Sequence, residues 1–150
     1  MANNYTPATV SPYLPARLFT NEELISLEAA CGLKVERIDE KYYFFSPGYF
    51  TELGEDLDGF GVNCPALLQE KLRQLDARQY PHIVISGAAT CSKMRQDQFF
   101  GFAFFITRDA IRSFSTWEWL DVQAKASQAV RPGDAERQPN CASLLDDRNA

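Results

Sequence analysis

Residues 82–107 of the chain read HIVISGAATCSKMRQDQFFGFAFFIT, which is two apolar stretches separated by a polar one. Residues 82–86 form a short run rich in β-branched side chains, which is typical of a buried strand. The polar residues 93–97 predict a turn, and the aromatic residues of 99–107 predict a longer strand. Because the connection is short, we expect the two strands to be antiparallel neighbours in one sheet.

The segment before these strands contains two predicted helices. Thr20 and Glu23 have the spacing of a capping box, and Gly32 is placed to end the first helix in the left-handed conformation. The second helix is predicted to begin with a cap at residue 63 or 64 and a proline in its first turn. Its apolar stripe covers positions 68, 72 and 75, and we expect it to end at residues 80–81.

The remaining elements are shorter. Residues 33–38 and 42–45 predict two strands joined by a turn at 39–41. Pro47 and Gly48 predict a type II turn with a positive φ at the glycine. Residues 51–63 are acidic and rich in glycine, so we expect a loop. Residues 111–114 predict a short strand, and Ser115 with Glu118 predicts a capping box that begins a last helix.

The predicted order, α-β-β-α-β-β-(β)-α, indicates the α+β class. We expect a largely antiparallel sheet of about four to five strands with helices packed on one face. Residues 1–19 contain three prolines and few charges, and they predict an extended N-terminal arm. Residues 20–126 predict a single α+β domain. Residues 127–150 lack periodic apolar positions and predict a flexible C-terminal tail.

The composition excludes several classes of protein. The 150 residues carry 15 Lys and Arg against 20 Asp and Glu, a formal net charge of −5. The length is sufficient for one domain with its own core. The excess of acids argues against direct nucleic-acid binding, because neutralising phosphates needs a basic face. His82 is the one histidine of the sequence, which excludes any site that needs two imidazoles.

The charge is unevenly distributed along the chain. Residues 21–60 contain ten acids and three bases, a local charge of −7, whereas residues 71–112 contain seven bases and three acids. An acidic surface can direct a protein to a basic partner and raise the rate of association. The alternative is that the two halves neutralise each other across the fold.

Aromatic side chains accompany the most acidic loop. Residues 42–45 cannot all hide their rings on one face of a strand, because side chains alternate. Tyrosines at the rim of a loop are frequent anchors of interfaces. We therefore predict a partner-binding surface in the loop of residues 49–60. Its candidate residues are Tyr49, Phe50, Glu52, Glu55, Asp56, Asp58 and Phe60.

These features favour a non-enzymatic protein that binds a protein partner with a basic surface. In size and charge alone, the chain is similar to small acidic inhibitor and immunity proteins, including the anti-restriction and anti-CRISPR proteins of phages and plasmids. We expect no cofactor, no metal and no catalytic residue for such a function. A homodimer formed through the aromatic strand of residues 99–105 is compatible with it.

The alternative hypothesis is a small enzyme or ligand-binding domain. Its site would lie around His82, Cys91 and Arg95, provided that the fold brings the imidazole within hydrogen-bond reach of the thiol. The sequence contains neither a nucleophile elbow nor a Walker-type phosphate loop.

Two motifs match known binding sites in part. Residues 100–104, FGFAF, resemble the core of the RNP1 segment of RRM domains, but position 100 is not basic and too few residues separate the two strands. Residues 54–65 resemble a calcium-binding loop, but glycine and proline occupy its first and last ligand positions. We therefore expect both segments to be structural.

The cysteines and the N-terminus predict the compartment. Cys31, Cys64, Cys91 and Cys141 are widely spaced and form no zinc-binding pair. The first residues lack the basic and apolar regions of a secretory signal, and no apolar stretch is long enough to cross a membrane. We expect free thiols, a cytoplasmic location and no membrane association.

Overall fold

The structure, a computed structural model, describes residues 3–129. Within these residues the chain divides into two units, the first ending at Thr116 and the second beginning at Trp117. The strands are β1 (Asn4–Tyr5), β2 (Ala8–Ser11), β3 (Leu14–Pro15), β4 (Lys34–Ile38), β5 (Lys41–Ser46), β6 (Leu53–Glu55), β7 (Gly61–Asn63), β8 (Ile83–Cys91), β9 (Phe100–Ile106) and β10 (Ile111–Ser115). The α-helices are α1 (Asn21–Cys31), α2 (Cys64–Leu72) and α3 (Thr116–Ala129), and short 3-10 turns cover Ala16–Leu18 and Gln96–Gln98.

The predicted α+β class and the large antiparallel sheet are confirmed. The predicted strand count was too low, because eight strands form one sheet and β6 with β7 forms a second, two-stranded sheet. The predicted antiparallel pairing of the strands in residues 82–107 is also confirmed, since β8 pairs with β9 over seven residue pairs, from Ile83–Ile106 to Ala89–Phe100.

The N-terminal segment contains most of the strands that the sequence analysis did not predict. Thr9 of β2 pairs with Ser86 of β8 on one side and with Phe45 of β5 on the other. Before β2 in the chain, β1 also pairs with β8, and after it, β3 also pairs with β5. Within the predicted N-terminal arm, residues 4–15 therefore supply three strands, and β2 lies in the centre of the sheet.

The edges of the sheet are β4 and β10. β4 pairs only with β5, and β10 pairs only with β9, among the strands of residues 3–129. β9 is paired on both sides, by β8 and β10. The aromatic strand that we considered for a homodimer therefore has no free backbone edge for pairing with a second copy.

The core lies on one face of the sheet. Leu27 of α1 and Leu68 of α2 belong to the same buried cluster as Val10, Ile85 and Phe104 from three neighbouring strands. Because side chains alternate along a strand, the residues between them point to the opposite face. On that face Thr9, Ser86 and Phe105 are exposed, so α1 and α2 cover one face of the sheet.

The helix termini follow the predicted signals closely. Thr20 and Glu23 form the predicted capping box, and Gly32 ends α1 with a φ of 69°. Asn63 caps α2 by accepting a hydrogen bond from the Ala66 N–H at 3.0 Å. α2 ends at Leu72, however, and not near residue 80.

The predicted type II turn at Pro47 and Gly48 was wrong. The glycines with a positive φ in the described part of the chain are Gly32 and Gly59, and Gly48 is not among them. The Ser46 hydroxyl accepts a hydrogen bond from the Tyr49 N–H at 3.1 Å instead. A side-chain acceptor thus supports the turn without a left-handed residue.

The second unit is described as far as Ala129 and consists there of helix α3. Lys125 and Asp121 form an i,i+4 ion pair of 2.8 Å on its surface. Residues 127–129, which the sequence assigns to a C-terminal tail, belong to this helix, and residues 130–150 of that predicted tail lie outside the described residues. Within residues 3–129, none of the helices has the length and apolar content that crossing a membrane requires.

Candidate functional site

The predicted acidic loop is a β-hairpin. β6 and β7 pair through Leu53–Asn63, Gly54–Val62 and Glu55–Gly61, and residues 56–60 form the tip. We call residues 52–63 the acidic hairpin. The prediction of a loop missed these strands because each has only three residues and because glycine weakens the strand signal.

The acidic hairpin lies directly against α1. A Cβ atom added to Gly54 would stand 1.8 Å from the Ala30 carbonyl oxygen, so the hairpin backbone approaches the helix where only glycine fits. At the base, the Thr51 N–H donates to the Cys31 carbonyl at 3.1 Å, and the Cys64 N–H donates to the Glu52 carbonyl at 2.9 Å. Both ends of the hairpin are therefore fixed to the helices.

The tip is ordered by one carboxylate. Oδ1 of Asp56 accepts hydrogen bonds from the backbone N–H groups of Asp58 and Phe60, both at 2.9 Å. The Asp56 N–H donates to the Phe60 carbonyl at 2.9 Å, and Gly59 closes the turn with a φ of 83°. The tip is therefore held by its own hydrogen bonds, as in other turns that an Asp side chain stabilises.

Large apolar side chains are exposed on this ordered hairpin. Leu57 is 81% exposed and Phe60 is 71% exposed at the tip, and Leu53 is 59% exposed on the outer face of β6. Tyr49, just before the hairpin, is 69% exposed, and its ring lies 6.4 Å from that of Tyr5. Exposed apolar groups gathered in this way are typical of interaction sites.

The surrounding charge is negative and uncompensated. Glu52, Glu55 and Asp58 are exposed, and the Asp56 carboxylate is half-buried. The salt bridges of the described residues are Lys71–Glu23 and Lys125–Asp121, so no hairpin carboxylate lies within 4.0 Å of a Lys or Arg nitrogen there. The hairpin thus presents carboxylates that have no cationic partner of their own.

Phe50 does not belong to this surface. Its side chain is 7% exposed, and its ring stacks on Phe102 with centroids 5.8 Å apart. Leu53 and Leu57, in contrast, were not among the predicted residues. The sequence did contain a signal for Leu57, because an acidic turn that is only solvated does not require an apolar residue between Asp56 and Asp58.

The residues of the alternative site are far apart. His82 precedes β8 and Cys91 is its last residue, so nine residues of extended chain, about 30 Å, separate them. The His82 ring is exposed and lies 4.8 Å from the ring of Phe105. The imidazole is therefore out of hydrogen-bond reach of the thiol.

The described thiols are all free and buried. A backbone hydrogen bond from Arg95 lowers the pKa of the Cys91 thiol, which places Cys91 and Arg95 close together at one end of β8. The Cys31 thiol donates to the Glu52 and Val62 carbonyls, both at 3.9 Å, and its interaction with the neighbouring Cys64 thiol lowers the pKa of Cys31 and raises that of Cys64. Cys141 lies outside the described residues.

Comparison with known proteins does not assign the chain to a family. No protein-family model, no curated protein and no solved structure matches this chain. Within residues 3–129, no group of three or more His, Cys, Asp or Glu side chains is placed to hold a metal ion.

Proposed function

We propose that this chain acts in the cytoplasm as a non-enzymatic protein that binds a partner protein with a basic surface. The contact is made by the acidic hairpin together with Tyr49. The observation that carries the proposal is the exposure of Leu57 and Phe60, 81% and 71%, on a tip that is held by hydrogen bonds.

Burial of the apolar side chains makes a favourable contribution to the free energy of association. Removing a leucine or phenylalanine side chain from water contributes about 1.5–3 kcal/mol. Leu57 and Phe60 lie on opposite sides of the Asp58–Gly59 turn, and Leu53 adds a third apolar group on β6. A partner with a shallow apolar depression would bury these groups, as is typical of interface anchors.

The order of the tip reduces the cost of binding. A mobile loop loses conformational entropy when it is bound, whereas a preorganised loop has already lost it. The two hydrogen bonds to Oδ1 of Asp56 fix the backbone at Asp58 and Phe60 before any partner arrives. Interface contacts can then form without a folding step.

The carboxylates determine which partner is accepted. Glu52, Glu55 and Asp58 are exposed and have no cationic neighbour within the described residues. Opposite charges across an interface raise the association rate and discriminate against like-charged proteins. A partner whose own activity uses its basic surface would be inhibited by this contact.

The test compares the proteins captured from cell lysate by the unaltered chain and by two variants. Leu57→Ser with Phe60→Ser removes the apolar tip, and Ile25→Ser is the control, because Ile25 is 56% exposed on α1. We expect the control to capture the same protein as the unaltered chain and the tip variant to lose it. Capture that is equal for all three would contradict the proposal.

A second pair of variants tests the charge. Glu55→Lys with Asp58→Lys is compared with Glu28→Lys plus Glu36→Lys, which makes the same charge change at other exposed positions. Asp56 is left unchanged because its side chain orders the tip. We expect only the hairpin pair to abolish capture, and an equal loss for both pairs would indicate non-specific attraction by net charge.

A further inference from the structure

A cleft of about 580 Å³ lies away from the acidic hairpin, at the other end of the β4–β5 pair. It is bordered by the 3-10 turn that contains Arg17, by the β4–β5 turn and by the segment after α2. Its wall includes Arg17, Arg37, Glu40, Lys41, Tyr42 and Tyr80. This volume is in the range of sites for small molecules.

Three cations and one carboxylate line this cleft in a protein whose net charge is −5. Arg17, Arg37 and Lys41 form no salt bridge with any residue in the described part of the chain. These four charged residues are exposed and their charges sum to +2, so the cleft attracts anions locally. The overall negative charge cannot account for anion binding, so any such binding has to be local.

The geometry of Arg37 favours an oxyanion. Its Nε donates a hydrogen bond of 2.9 Å to the Asp39 carbonyl, which fixes the plane of the guanidinium. Its two Nη groups make no hydrogen bond within residues 3–129. A guanidinium that is held in place with its Nη donors free is suited to two parallel hydrogen bonds to a phosphate group.

The remaining walls are rigid. Tyr42 pairs with Arg37 across the β4–β5 ladder and packs edge-on against Phe44, with ring centroids 6.0 Å apart. Tyr80 is 6% exposed, and its carbonyl accepts a hydrogen bond from Arg108 at 2.9 Å. The Ala16 N–H donates to the Glu40 carbonyl at 2.9 Å, which fixes the 3-10 turn that carries Arg17. The cations therefore stand on ordered backbone.

We propose that this cleft binds a small molecule that bears phosphate, with Arg17 and Arg37 contacting the phosphate oxygens beside the aromatic wall of Tyr42 and with Lys41 adding positive charge at the rim. The site shares no residue with the acidic hairpin, so it is independent of the protein-binding function proposed above. The cleft is larger than a single phosphate needs, which leaves room for the rest of an organic phosphate.

The test is calorimetric titration of the chain with inorganic pyrophosphate, adenosine monophosphate and citrate, at low and at physiological ionic strength. We expect saturable binding of pyrophosphate or adenosine monophosphate. Arg37→Ala should weaken it about tenfold or more, because it removes hydrogen bonds between charged groups. Arg37→Lys should also weaken it, since lysine keeps the charge and loses the planar fork.

The matched control is Lys34→Ala. Lys34 lies on the same strand as Arg37 but three residues away, and it points to the opposite face of the sheet. Binding by this variant should remain within twofold of the unaltered chain. The proposal is overturned if neither phosphate compound binds, if citrate alone binds, or if the Arg37 and Lys34 variants bind equally well. Thermal unfolding without ligand checks that each variant is folded.

Discussion

The carboxylate of Asp56 accepts a 2.9 Å hydrogen bond from the backbone N–H of Phe60, and this bond holds an exposed phenyl ring at the tip of the acidic hairpin. The same oxygen accepts the Asp58 N–H at 2.9 Å. One acidic residue therefore has a structural role, whereas its acidic neighbours are free to contact a partner.

Replacing Asp56 with alanine should loosen the tip and leave the fold intact. Two hydrogen bonds to a carboxylate are lost at the tip, so the free energy of unfolding should fall by about 1–3 kcal/mol. Amide hydrogen exchange at Asp58 and Phe60 should become faster, while exchange in β8 stays slow. Partner affinity should fall although the apolar residues remain, because their order is lost. Unchanged exchange at the tip would contradict the role given to Asp56.

Replacing Gly54 with alanine should destabilise the hairpin contact with α1. The new methyl group would stand 1.8 Å from the Ala30 carbonyl oxygen, so the backbone has to move. We expect a loss of about 2–3 kcal/mol in urea unfolding, the usual cost of overpacking. Gly61→Ala is the control on the paired strand, because a Cβ there would meet nothing within 4 Å. Similar values for the two variants would show that the hairpin does not lie against the helix.

The ion pair between Glu23 and Lys71 should make stability depend on pH. Burial acts to raise the pKa of Glu23, but hydrogen bonds from Lys71 and Thr20, together with the Lys71 charge, hold it below the usual 4.5. A carboxyl whose pKa is lowered by folding stabilises the protein above its unfolded value, and this contribution is lost as the pH falls through the folded value.

Glu23→Gln isolates that charge, because glutamine can still complete the capping box with Thr20. At neutral pH the variant should be less stable by about 1–2 kcal/mol, since it leaves the nearly buried Lys71 ammonium without its carboxylate. The difference should shrink as the pH falls below 4.5. Urea unfolding across this range measures it, and a difference that does not change with pH would contradict the assignment.

Deleting residues 1–11 should abolish the fold. This removes the strand between β8 and β5 and with it Val10, which is 2% exposed. Circular dichroism should show loss of cooperative thermal unfolding, because no remaining segment pairs these two strands. Deleting residues 1–5 removes only β1, and this control should fold. A folded 1–11 deletion would show that the N-terminal segment is dispensable.

The success of prediction from sequence depended on how local each signal was. The capping box at Thr20 and Glu23, the cap at Asn63 and the left-handed Gly32 are set by neighbouring residues, and all were predicted. The position of β2 depends on pairing with Phe45 and Ser86, which are far away in sequence. Nothing within the four residues of β2 distinguishes a central strand from an extended arm.

In the candidate site, too, local features could be predicted from the sequence and long-range contacts could not. The sequence shows the run of acids and the aromatic residues beside it, and these two features together indicated the loop of residues 49–60 as the candidate surface. Whether Phe50 points inward depends on its stacking with Phe102, and the hairpin shape depends on contact with Ala30. These are long-range contacts that composition and spacing do not encode.

Site-specific photo-crosslinking in cells tests directly whether the tip of the acidic hairpin contacts a partner protein. A benzophenone side chain is introduced at Leu57, on the tip, or at Ile25, which is exposed on α1. We predict a discrete crosslinked complex with a protein of basic surface from position 57 and none from position 25. No crosslink at position 57, or the same crosslinked protein from both positions, would contradict it.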